Sequence, residues 1–73
     1  MWDLEKEKNR IDAILAWAMN QSLVRDCVDE AALAGYGLAV LRGYYANTCP
    51  DELLRQRCME YAGSVANMRL RVA

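Results

Sequence analysis

Hydrophobic positions recur at helical spacing along most of the chain. Between residues 22 and 46, Val24, Cys27, Ala31, Ala34, Leu38, Leu41 and Tyr45 alternate at intervals of three and four. Leu54, Cys58, Tyr61, Val65, Met68 and Val72 repeat the alternation further on. Such spacing keeps an apolar stripe on one side of a helix and matches the seams of knobs-into-holes packing. The period-two alternation of a half-buried strand is sustained nowhere. The pattern predicts an all-α fold, an antiparallel αα-hairpin over about residues 22–46 and 50–71. A shorter N-terminal helix over about residues 3–19 has apolar positions at Leu4, Ile11, Ile14, Leu15 and Ala18. With no repeat or linker in view, residues 1–73 read as a single helical-hairpin domain.

The strongest break is Asn47-Thr48-Cys49-Pro50-Asp51-Glu52. Proline fits the first turn of a helix, where its missing N–H costs nothing. Thr48 or Cys49 is the expected cap, with Asp51 and Glu52 placing negative charge at the positive end of the dipole. Folding the chain back at residue 48 sets Leu41 against Leu54, Leu38 against Cys58, Ala34 against Tyr61 and Ala31 against Val65. Cys27 then meets Met68 and Val24 meets Val72, with small residues tending to face large ones as an interdigitating core requires. The break at Asn20-Gln21-Ser22 is weaker, so the first two helices are either separate or continuous.

The seam does not absorb all the apolar surface. From Ala31 to Ala46 the chain reads AALAGYGLAVLRGYYA, with Arg42 its one charge. A helix apolar all round is buried on more than one side. Leu33, Tyr36, Val40 and Tyr44 form a stripe off the seam, and Ala32, Gly35, Ala39 and Gly43 form a third face. Each glycine inside a helix costs about 0.8–1 kcal/mol relative to alanine, which points to close approach by another helix. Either the N-terminal helix covers these faces in a three-helix bundle, or a protein partner takes at least one. The N-terminal helix has few apolar positions and a charged first half, which favours the partner. The candidate partner-binding residues are Leu33, Tyr36, Val40, Tyr44, Gly35, Ala39 and Gly43. Tyrosine suits such a role, being enriched at interfaces and tolerant of water when unbound.

Composition narrows the function classes. The 73 residues are 55% hydrophobic, contain no His and no Phe, and balance nine basic against ten acidic residues for a formal charge of −1. That apolar content argues against disorder, and the neutral balance against nucleic-acid binding. Without histidine the commonest general base and metal ligand is missing. Asp29-Glu30 and Asp51-Glu52 read as charges at helix starts, and the arginines of the last helix as a solvated face. No catalytic, cofactor-binding or metal-binding set is expected, and the chain reads as non-enzymatic.

Cys27, Cys49 and Cys58 are odd in number and lack metal-ligand spacing. Cys27 and Cys58 are expected as core thiols and Cys49, at the turn, as the exposed one. Trp17 is expected to pack near Ile14, while Trp2 either anchors the N-terminus or frays. No apolar signal core opens the chain, and the charge-free run Ala31–Leu41 is too short to span a bilayer. The expectation is a cytoplasmic protein with reduced thiols, off the membrane. A chain this short usually needs a disulfide, a metal or a partner to be comfortably stable, and the first two are not in the sequence.

The layout resembles a known family. A short N-terminal helix precedes a long hairpin with a Cys49-Pro50-Asp51 turn and a last helix reading LLRQRCMEYAGSVANMRL. This is similar to the small hairpin cochaperones of type III secretion needle subunits. The resemblance implies a bacterial cytoplasmic cochaperone that docks on a larger tetratricopeptide-like chaperone and helps keep a needle subunit monomeric before export. It supplies no catalytic residues and no motif for the partner contacts. A homo-oligomer is open to the chain when it is alone, and the alternative function is a small phage or mobile-element hairpin inhibitor or regulator acting as a dimer on a host protein.

Overall fold

The computed structural model describes residues 2–20 and 30–72. Among them are three helices and no strand: α1 (Leu4–Met19), α2 (Glu30–Thr48) and α3 (Glu52–Val72). The αα-hairpin and the shorter N-terminal helix are thus both present. Val24, Cys27, Asp29 and the expected start of the second helix near residue 22 lie outside the described residues.

Each helix end has a local cause. Asp3 caps α1 by accepting a hydrogen bond from the Lys6 backbone N–H at 3.0 Å. Asn20 leaves the helical region at ψ 22° while its N–H still reaches the Ala16 and Trp17 carbonyls. At the hairpin turn the cap is Asp51, rather than Thr48 or Cys49. Its Oδ1 accepts from the Leu53 and Leu54 backbone N–H groups at 3.0 and 3.2 Å, which satisfies two of the donors a helix start leaves open. Thr48 instead closes α2, its hydroxyl donating to the Tyr44 carbonyl at 2.6 Å. Pro50 precedes the cap and so stands outside the first turn of α3.

The corrected cap moves the reversal. With α2 ending at Thr48 and α3 starting at Glu52, the fold-back centres near residue 50 instead of 48. The facing residues shift by about one helical turn, which keeps the general face and changes the partners. Cys58 now neighbours the Tyr45 hydroxyl, where the earlier fold-back set it against Leu38. Among the described side chains of α3, which do not include the expected seam residue Val72, the buried ones are Cys58, Ala62, Val65 and Ala66, while Met68, expected in the seam, is 62% exposed. Ala31 is exposed as well. The seam of α3 rotates toward Ala62 and Ala66 because α3 packs on two helices at once.

That second neighbour is α1, which touches both α2 and α3. Ile11, Leu15 and Ala18 are fully buried, and Ile11 and Leu15 join Ala34, Leu41, Tyr45, Cys58, Ala62 and Val65 in one core. Contacts run in opposite order along α1 and α2. Trp2 meets Tyr45 at one end and Trp17 meets Tyr36 at the other. Along α3 the order is parallel: Glu7 lies near Cys58 and Asp12 accepts a hydrogen bond from the Tyr61 hydroxyl at 3.1 Å. The bundle is therefore up-down-up. Cys49, expected to be exposed, is only 2% exposed; its thiol folds under the turn toward the Asp51 carbonyl at 3.7 Å, and Arg55 donates to its carbonyl at 2.7 Å.

Candidate functional site

Two features stand out, one buried and one open. The buried one centres on Glu7, only 5% exposed. Its Oε1 accepts from the Tyr45 hydroxyl at 2.8 Å and from an Arg10 guanidinium nitrogen at 3.0 Å. Arg10 also donates to the Tyr44 hydroxyl and lies over that ring, 5.0 Å from its centroid. Trp2 closes the end of the cluster, tilted against Tyr44 and edge-on to Tyr45. A carboxylate taken out of water is tolerable only when its lone pairs are engaged, and this one is held by a neutral and a cationic donor. Trp2, Lys6, Glu7, Arg10 and Tyr44 line an open depression of about 380 Å³ above it.

The chemistry of the cluster is that of a structural clamp. Burial, and then the hydrogen bond to the Glu7 carboxylate, push the Tyr45 hydroxyl far above its ordinary value. Cys58 is raised by burial first and by the Glu7 charge second. Both groups stay protonated in the native state, the opposite of what an activated nucleophile requires. Among the described residues no group of His, Cys, Asp or Glu side chains is placed to hold a metal ion.

These shifts have a measurable consequence. Below pH 9 both groups are neutral folded and unfolded, and their contribution is fully present. Above the ordinary values of 9.0 for Cys58 and 10.0 for Tyr45, the unfolded chain releases the protons more readily than the folded one. Stability should then fall by up to ~1.4 kcal/mol per pH unit for each group. Urea midpoints measured from pH 8 to pH ~11 should drop steeply in the wild type and less steeply in Tyr45→Phe. Equal slopes in the two proteins would remove Tyr45 from the account.

The open feature is the outer side of α2. Of the residues proposed from sequence, Leu33 is buried, Val40 and Tyr44 are half-buried, and Tyr36, Gly35, Ala39 and Gly43 are exposed. Helix α1 thus divides the set. Leu33 is interior, and Tyr44 is engaged by Arg10 and Trp2. Gly35, Ala39 and Gly43 face away, with Ala31 and Ala46 also exposed. Among the described residues, a Cβ built at Gly35 or Gly43 meets nothing within 4 Å. The close approach that a helical glycine suggests occurs instead at Gly37, where a Cβ would lie 3.0 Å from the Ala18 Cβ and 3.1 Å from Leu15 Cδ2.

Glu7 escapes notice in the sequence because it belongs to the charged first half of the N-terminal helix. The signal was present in the spacing: Leu4, Glu7, Ile11, Leu15 and Ala18 share one face, so Glu7 occupies an inward position. Among the described residues no helix is long and apolar enough to cross a membrane. No family model, curated protein or solved structure matches the chain.

Proposed function

We propose that this chain is a non-enzymatic docking module that offers the outer face of α2 to a helical protein partner. The reading is supported above all by the glycines at 35 and 43, which stand in open space although each costs a helix about 0.8–1 kcal/mol. Among the described residues nothing packs against either glycine to offset that cost. A partner helix approaching closely over Gly35, Ala39 and Gly43 would, with Tyr36 supplying apolar area at the rim. The clamp around Glu7 serves this role by fixing α1 on the other side of α2.

The family resemblance gives the partner a concrete form. The chain acts as a cytoplasmic cochaperone, docked on a tetratricopeptide-like chaperone and keeping a secretion needle subunit from self-association. Binding energy then stabilises both proteins reciprocally. The test is co-purification of Tyr36→Asp and Ala39→Asp with such a chaperone–subunit pair. Both positions are exposed, so helix content should be unchanged, while a charge buried in the interface should weaken capture by about 2 kcal/mol or more. Capture at wild-type levels by both variants would reject the face.

A further inference from the structure

Besides its small residues, the outer face of α2 carries two large exposed side chains, Tyr36 and Arg42, placed three residues before and three after Ala39. The two glycines with open space above them, Gly35 and Gly43, stand four before and four after. At about 100° per residue, Tyr36 and Gly43 fall on one flank of Ala39, and Arg42 and Gly35 on the other. The face is therefore its own complement under a two-fold rotation. A rotation axis through Ala39, perpendicular to the helix, carries each flank of one copy onto the same flank of the second and reverses the heights. Tyr36, about 4.5 Å along the axis from Ala39, then meets Gly43 of the second copy, about 6 Å from its own Ala39. By the same operation Arg42 lies over Gly35 of the second copy. Each large side chain fills a place left empty by a glycine.

We propose that a second copy of this chain packs on the outer face of α2, as an antiparallel two-fold dimer with Ala39 at its axis. The inference rests on reading that face as a docking surface and names its occupant when the chain is alone. An isologous contact requires each patch to be self-complementary, and the pairing of Tyr36 with Gly43 and of Arg42 with Gly35 meets that requirement. Small residues along the centre let the helix axes approach to about 8 Å. A parallel pair would also seat the large residues over glycines, but it aligns two helix dipoles that the antiparallel pair sets head to tail. The formal charge of −1 per chain leaves little long-range repulsion between copies. The nineteen-residue α2 is about 28 Å long, so the contact is small and the dimer weak.

Sedimentation equilibrium of the purified full chain up to ~200 μM should find a mass twice the 8.3 kDa of the chain. Gly43→Met occupies the place of the second copy's Tyr36 and should weaken the dimer about tenfold or more, with thermal stability kept, since its Cβ meets nothing in the bundle. Under mild oxidation Ala39→Cys should give a covalent dimer far faster than Gly35→Cys. The two residues at 35 lie about 12 Å apart along the pair, beyond disulfide reach. A monomer over the whole range, a Gly43→Met dimer as tight as wild type, or crosslinking at 35 as fast as at 39 would each overturn the inference. A monomer that still captures its partner through Tyr36 and Ala39 would sink the dimer and leave the docking role standing. A dimer of the expected register whose partner capture ignores both aspartates would do the reverse.

Discussion

Gly37→Leu is expected to cost about 3 kcal/mol, most of what a domain of this size has to lose. At Gly37 α1 and α2 pack closely, and even a methyl group there sits 3.0 Å from the Ala18 Cβ. That atom is fixed to the backbone and the Leu15 side chain beside it is fully buried, so the only relief is to separate the helices. Gly37→Ala should lie much nearer balance, because a gain of about 0.8–1 kcal/mol in helix propensity opposes the clash. Ala18→Gly removes that opposing atom and should recover part of the loss in Gly37→Leu. Gly35→Ala and Gly43→Ala meet open space and should each raise stability by about 0.8–1 kcal/mol. Thermal unfolding of the set is decisive. A Gly37→Leu protein no less stable than Gly35→Leu would place the close contact elsewhere.

Removing the Glu7 carboxylate should have the second-largest effect. In Glu7→Leu the buried Tyr45 hydroxyl loses its acceptor, an omission worth about 1–3 kcal/mol. Arg10, with 44% of its side chain exposed, can turn to water and adds little. Tyr45→Phe alone should cost about 1 kcal/mol, since Arg10 still holds the carboxylate. The double variant Glu7→Leu/Tyr45→Phe replaces both partners by apolar groups and should be more stable than Glu7→Leu by itself. Denaturant titration of the four proteins closes the cycle. Simple additivity would mean that the hydrogen bond at 2.8 Å contributes nothing specific.

The helices and their hairpin were legible because the apolar spacing and Pro50 both mark them. The register was less so, since it depended on which residue caps α3. Thr48 and Asp51 are both capable caps by type. Only the three-dimensional turn decides that Thr48 bonds backward to Tyr44 and Asp51 forward to Leu53 and Leu54. The same holds for the glycines of α2. Their number is plain in the sequence, but whether Gly35, Gly37 or Gly43 meets α1 depends on the rotation of α2 about its axis, fixed by Leu15 and Ala18 on another helix. Met68 fell outside the core and Ala62 inside it for a related reason: a stripe chosen against one neighbour shifts when a second helix takes part of the face. Glu7 is legible in its spacing with Leu4 and Ile11, which sets it inward despite its charge.

The two tryptophans end up as separate optical reporters. Trp2 lies within 6.4 Å of the Tyr44 ring and 6.2 Å of the Tyr45 ring, at the closed end where α1 seals on α2. Trp17 lies 5.8 Å from Tyr36, half in solvent at the rim of the open face. Emission from the first follows the seating of α1 and so the integrity of the fold. Emission from the second responds to whatever covers Tyr36. Replacing either indole by phenylalanine would leave a single-colour gauge, so that one chain can be watched for folding or for docking without an added dye.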